Sequence, residues 1–234
     1  MFALSRAVVV EQRPLTSVVR HVVLRLEEPA VLTFRPGQFV QFVLDEHTLR
    51  AFSIASPPGR LPLVELCADI SPMGKGSRFI EGLQPGDQVT FRGPFGVFTL
   101  PPGQTRPLEF VAAGSGIAPL RAMLADLFTE GRPPAPATTL TFGNRTRADI
   151  LYHEEWRALQ VREPRFQYQP VLSQPASDWD GLRGRVTEIL AARKAELGQR
   201  VFFLCGSPVM VDDTRQALAA FGVTEENVHF EKFH

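Results

Sequence analysis

Only two cysteines occur among the 234 residues, Cys67 and Cys205. Two thiols cannot build a disulfide framework, and they fall short of the cysteine quartet that holds an iron–sulfur cluster. The five histidines, His21, His47, His153, His229 and His234, show no HxxH or HxxxH pairing. No metal site is therefore expected, and each reads as an isolated surface side chain. Net charge is absent too: 25 basic residues balance 25 acidic ones, with no basic run to follow a phosphate backbone. That excludes nucleic acid as a partner. No stretch of about 18 apolar residues exists, so no membrane span is expected. The first residues, MFALSRAVVVEQRPL, are interrupted by Arg6, Glu11 and Arg13. They lack the apolar core and small-residue cleavage site of a secretory leader, and a cytoplasmic protein is expected.

What is present is ordinary globular composition, 44% hydrophobic and 21% charged. The length allows one large domain or two of roughly 100–120 residues. Short β-branched runs at 7–10, 18–26, 39–44, 51–55, 63–67 and 89–92 are separated by turns such as Pro36–Gly37 and Pro85–Gly86. Many short strands at about ten-residue spacing predict a closed barrel or a sandwich, with one helix over 77–83 capped at Ser77. The Pro/Gly-rich stretch 101–107 then breaks the pattern. Beyond it, strands at 108–112, 138–142, 166–171 and 201–204 alternate with helices at 118–128, 148–159, 186–195 and 209–221. A last strand is expected at 228–230. This alternation predicts a parallel sheet with helices on both faces.

Four segments stand out as carriers of chemistry. Gly114–Ser115–Gly116, followed by Pro119, lies where a strand turns into a helix. Glycines let the backbone approach a pyrophosphate, and the helix start offers free N–H groups. The spacing is GxGxxP rather than GxGxxG, which disfavours a plain Rossmann dehydrogenase. Taken alone, the segment also suits a ligand-free joint. Arg50–Ala51–Phe52–Ser53 places a cation and an aromatic on one strand face and a hydroxyl on the other; by itself it reads as an ordinary strand with a surface arginine. Gly74–Lys75–Gly76–Ser77 precedes a helix start that can hold phosphate, yet Gly76 separates Lys75 from Ser77, so it is no Walker A loop. Cys205–Gly206–Ser207–Pro208–Val209–Met210 follows an apolar strand, at the strand end where α/β sheets place ligands. Cys205 also suits a buried small apolar position.

These segments, in this order, resemble the ferredoxin–NADP reductase family, whose members carry RxYS, a GxxS segment, GxGxxP and CGxPxM. Gly86–Asp87 and Gly93–Pro94–Phe95–Gly96 resemble the family's GD…GPxG stretch. The resemblance covers residues 4–233. It implies two domains: an antiparallel β-barrel FAD-binding domain (1–102), followed by an α/β parallel-sheet NAD(P)-binding domain (107–234), without an attached iron–sulfur domain. The implied activity is hydride transfer from NADPH, or alternatively NADH, to FAD. Electrons then pass singly to a ferredoxin, a flavodoxin or an oxygenase component. By the same resemblance Arg50 holds an FAD phosphate, Phe52 stacks on the isoalloxazine in place of the usual tyrosine, and Ser53 bonds near flavin N5. Gly74, Lys75, Gly76 and Ser77 support the pyrophosphate; Ala51 lies between the first two flavin contacts. Gly114, Ser115, Gly116 and Pro119 line the dinucleotide. Cys205, Gly206, Pro208 and Met210 lie near the nicotinamide, with Cys205 shaping hydride approach rather than attacking as a nucleophile. Asn144, Arg145 and Arg147 follow the second strand, where either arginine can pair with a 2′-phosphate; no acidic residue directly after that strand favours a bare 2′-hydroxyl. Phe233 is implied to cover the flavin and Glu231 to relay protons, although a strand-end glutamate is also commonly just exposed. Two other readings remain open: a reductase that releases free reduced flavin, and an electron-transfer subunit inactive alone. Missing C-terminal cysteines count against the second.

Overall fold

The computed structural model describes residues 4–130 and 135–233. The chain divides into two compact units, Met1–Leu100 with Arg121–Leu127, and Pro101–Leu120 with Phe128–His234. His234, one of the five histidines, lies outside the described residues.

The first unit is built from β1 (Leu4–Pro14), β2 (Val19–Glu28), β3 (Phe39–Asp45), β4 (Thr48–Ser53), β5 (Leu63–Asp69), α1 (Lys75–Gly82) and β6 (Gln88–Phe95). Side chains alternate as a half-buried strand requires: in β1, Ser5, Ala7 and Val9 are buried while Leu4, Arg6 and Val10 are exposed. The sheet order is β4-β3-β6-β1-β2-β5, with every pair antiparallel. Its two edges meet where Ile54 bridges Leu66 and Ala55 N–H donates to Glu65 C=O at 2.7 Å. The sheet thus closes as a barrel, which leaves no open edge. Val22, Leu24, Val40, Phe42, Leu66 and Phe91 fill the interior, and Ile80 of α1 joins them.

The second unit holds β7 (Leu108–Ala113), β8 (Thr138–Asn144), β9 (Phe166–Leu172), β10 (Leu182–Arg183), β11 (Val201–Gly206) and β12 (Val228–Lys232) in the order β10-β9-β8-β7-β11-β12. All neighbours run parallel. The helices are α2 (Ile117–Leu127), α3 (His153–Arg162), α4 (Val186–Ala192) and α5 (Pro208–Ala220). The part of α2 from Arg121 onward belongs to the first unit. β11 is buried at every position, as a strand covered on both faces must be. Glu109 of β7 is also fully buried. Arg193 Nη1 at 3.1 Å, Arg200 Nη1 at 3.3 Å and the Thr141 hydroxyl at 2.8 Å surround its carboxylate, yet burial dominates and raises its pKa.

Two helices depart from expectation. The helix expected over 148–159 is split. Arg147–Asp149 forms a short turn in which Asp149 accepts from Thr146 N–H and Oγ1, and Tyr152 then adopts a left-handed φ of 56°. Ile150 and Leu151 between them are buried, so packing overrides helix propensity there. The helix expected over 186–195 stops at Ala192, because Arg193 turns out of helical geometry and bonds Glu109. Among the described residues no helix is long and apolar enough to cross a membrane.

Candidate functional site

In the barrel, Arg50 and Phe52 pair in register with Phe42 and Val40, both fully buried, so the cation and the aromatic lie on the same side of β4 as these core residues. Phe52 is half-buried and meets Phe42 edge-on at 5.6 Å. Ser53, on the opposite side, is buried, and Ala51 is exposed. Arg50 is exposed; its Nη1 donates to its neighbour's carbonyl, Leu49 C=O, at 2.7 Å, and no carboxylate partners it among the described residues.

The start of α1 lies against this arginine. A Cβ on Gly76 would come 3.0 Å from Arg50 Cγ, so the absence of a side chain lets the stem of Arg50 pass over the helix start. Gly74, not Ser77, is the N-cap, and no side chain caps the helix. The expected cap at Ser77 is corrected because Arg78 N–H already bonds Gly74 C=O, which places Ser77 inside the first turn. The N–H groups of Lys75, Gly76 and Ser77 are left without intrahelical acceptors beside a guanidinium that no carboxylate partners among the described residues. That is an anion cradle, and it fits a pyrophosphate. The Lys75 ammonium turns elsewhere, to Asp45 at 3.1 Å and Thr48 Oγ1 at 3.2 Å. The Thr48 hydroxyl, then His47 N–H and Lys75, hold the Asp45 carboxyl at about 2.

In the parallel sheet the strand order reverses between β7 and β11, and the crevice outside their carboxyl ends is where α/β sheets bind ligands. Both motifs expected at the dinucleotide stand at this point. Gly114 turns the chain with φ +53°, and α2 follows with Pro119 in its first turn. A Cβ on Gly116 would come 2.3 Å from Cys205 C=O and 2.6 Å from Gly206 N, so only glycine lets the two loops touch. Gly206 has φ +157°, and a side chain there would meet Met210 Cε at 2.5 Å. Ser207 Oγ accepts from Met210 N–H and caps α5, with Pro208 at its first position.

Cys205 is fully buried, in register with Ala112 on one side and Glu231 on the other. Burial first, and the Glu231 charge second, push its thiol well above the ordinary range. It stays a neutral thiol, unsuited to nucleophilic attack. Phe233 N–H donates to Gly206 C=O at 2.8 Å, which laces the last residues onto the Cys-Gly turn. Gly114, Gly116, Cys205, Gly206, Met210, Glu231 and Phe233 are thereby brought together.

Beyond β8 lies a cavity of about 300 Å³, lined by Thr146, Arg147, Leu172, Gln174, Asp178 and Trp179 among others. Arg147 reaches over the Trp179 ring at 5.7 Å and stands 4.0 Å from Asp178. Arg145 is exposed and makes no ion pair among the described residues. Asn144 Oδ1 is buried without a hydrogen-bond partner, a spare acceptor at the end of β8. Asp178, Trp179 and Gln174 escaped the reading of the sequence, although Trp179 is one of only two tryptophans and sits in a polar, glycine-flanked stretch.

The expectation that histidines lie on the surface fails for His21, which is buried 3.9 Å from Glu65. His153 Nδ1 is 3.0 Å from the Tyr168 hydroxyl, and His229 stacks on Phe203 at 4.8 Å. Only local sequence was available to judge them, and their partners are distant in the chain.

An oxidoreductase FAD-binding domain matches residues 6–100, and an oxidoreductase NAD-binding domain matches residues 110–216. The chain is 34% identical over 232 residues to ferredoxin–NADP reductase B of Sorangium cellulosum (strain So ce56), covering 94% of each chain. It belongs to the ferredoxin–NADP reductase family. As a member it is an NAD(P)H-dependent flavoprotein reductase with FAD- and NAD(P)H-binding domains. The reductase is also 32% identical to the phenol 2-monooxygenase reductase component DmpP of Pseudomonas sp. (strain CF600), over 98% of this chain but only 65% of that relative. Among solved structures it superposes on the Amycolatopsis cytochrome P450 reductase GcoB with a TM-score of 0.88 at 28% identity, covering 100% of this chain and 71% of that one.

Proposed function

We propose that this reductase draws hydride from NADPH and delivers electrons singly to a protein acceptor: a ferredoxin, a flavodoxin or an oxygenase component. The carrying observation is the meeting of Gly116 with Cys205 and Gly206 at the switch point of the sheet. FAD, when bound, supplies the conversion of a two-electron hydride into single electrons. Arg50 and the N–H groups of Lys75, Gly76 and Ser77 would hold its pyrophosphate, Phe52 would support the ring and Ser53 would donate beside it. Gly114, Ser115, Gly116 and Pro119 would receive the donor's phosphates. Cys205, Gly206, Pro208 and Met210 would shape the nicotinamide pocket, with Glu231 moving a proton and Phe233 shielding the flavin. Arg145, free of carboxylates, would take a 2′-phosphate with Arg147, and Asn144 would accept from a sugar hydroxyl. The assignment of 1–102 to the flavin and 107–234 to the dinucleotide is supported by the two family matches at 6–100 and 110–216. The acceptor class draws support from the relatives' names, and a donor made and consumed inside cells favours the cytoplasm.

The test is the visible spectrum of the FAD-loaded protein under anaerobic addition of NADPH, and of NADH to a fresh sample. Rapid bleaching, faster with NADPH, is the expected result. A flavin that stays oxidised with both nucleotides would refute the proposal.

A further inference from the structure

Beyond Ser53 the flavin strand is held by an unusual set of groups. Ile54 N–H bonds Gln38 C=O at 3.0 Å, and Ala55 N–H bonds Glu65 C=O at 2.7 Å. Ser56 Oγ accepts from Glu65 N–H at 3.0 Å. To this lacing is added one charged side chain: Arg121 Nη1 donates both to Ala55 C=O at 2.9 Å and to Glu65 Oε2 at 2.6 Å. The two charged side chains are only 14% and 8% exposed. Arg60 Nε approaches the other carboxylate oxygen at 3.1 Å, and His21 Nε2 lies 3.9 Å away. Ala55 and Ser56 are fully buried.

A buried ion pair returns little net stability over apolar packing of the same volume, because both ions lose their water. What it provides instead is direction. A guanidinium nitrogen shared between a carbonyl and a carboxylate fixes the carbonyl's position and with it the peptide at Ala55, two residues beyond Ser53 and three beyond Phe52. We infer that Arg121, aimed by Glu65, is a positioning residue for the flavin strand, setting the orientation of Phe52 and Ser53 for reaction rather than the affinity for either nucleotide. This rests on the reading that β4 carries the flavin.

The test is stopped-flow bleaching of the FAD-saturated protein by NADPH, comparing the parent with Arg121→Met and Arg121→Lys. Misplacement by a fraction of an ångström is expected to lower the limiting rate about ten- to a hundredfold in Arg121→Met, with the half-saturating NADPH concentration within about threefold of the parent. Arg121→Lys, whose ammonium still reaches one of the two acceptors, is expected to recover part of the rate. A folded, FAD-saturated Arg121→Met that bleaches within about twofold of the parent overturns the inference. If Arg121→Met does not fold, Glu65→Gln, which keeps the shape and one acceptor oxygen, is read by the same criterion. Arg50→Ala and Phe52→Leu run in parallel. Should neither alter FAD affinity or the flavin spectrum, the flavin-strand reading falls and the inference with it. Should they do so while Arg121→Met leaves the rate unmoved, the inference alone falls.

Discussion

His21 sits among Glu65, Arg13, Arg121 and Glu11, and burial dominates these charges, lowering its pKa from 6.5 to about 4. A base whose folded pKa is depressed favours the neutral form in the folded state. Between about pH 6.5 and 4 the unfolded chain binds a proton that the folded chain refuses, so stability falls as the solution is acidified through that window. The contribution is fully present above pH 6.5 and is exhausted near pH 4, for a loss on the order of 3 kcal/mol. Replacing His21 with Gln is expected to flatten the stability profile across this window, as measured by denaturant unfolding at several pH values; an unchanged slope would remove the assignment. Nothing in the sequence marked this residue. The run Val18–Val19–Arg20–His21–Val22 shows that His21 lies in a strand, but its environment is made by Glu65 and Arg121, 44 and 100 positions away in the chain. The residues of β4 were more legible, because Arg50, Phe52 and Ser53 stand within one short segment where period-two alternation assigns their sides.

At the scale of elements, the glycine turn and the Cys-Gly turn depend on each other's backbone. Gly116→Ala would press a methyl group against Cys205 C=O at 2.3 Å, which a rigid central strand cannot yield to cheaply. The variant is expected to lose about 1–3 kcal/mol of stability. The KM for NADPH should rise on the order of tenfold, since the proposed function sets this backbone against the nucleotide. FAD content should be unaffected; steady-state kinetics and the flavin absorbance after gel filtration report the two. The loop after β8 is a second element with its own outcome. Arg145→Ala combined with Arg147→Ala is expected to raise the KM for NADPH far more than that for NADH, and equal effects would remove the 2′-phosphate role. Strand and helix types in this half were legible from alternation and apolar runs. The break at 150–152 and the early end of α4 were not, because buried Leu151 and the reach of Arg193 to Glu109 are tertiary demands that local propensity does not contain.

For the molecule as a whole, a resident flavin and a diffusible one give opposite kinetics. The FAD-loaded chain is expected to oxidise NADPH with a one-electron dye and no added flavin; turnover that requires free flavin and saturates with it would instead favour the flavin-releasing reading. Among the described residues Cys67 and Cys205 are both buried and neither forms a disulfide. Four short motifs, their order, and the change from strand runs to strand–helix alternation were enough to determine the family, the two kinds of sheet and the two cofactors. This is possible because glycine turns, cations and apolar periods are local, and local patterns survive in a one-dimensional string. Closure of the barrel through Ile54 and Leu66, the approach of Gly116 to Cys205, the cavity beside Trp179 and the bond from Arg121 to Ala55 were decided only by the tertiary structure. Each is a contact between segments far apart in sequence, and which of many such pairs forms depends on how the whole core packs.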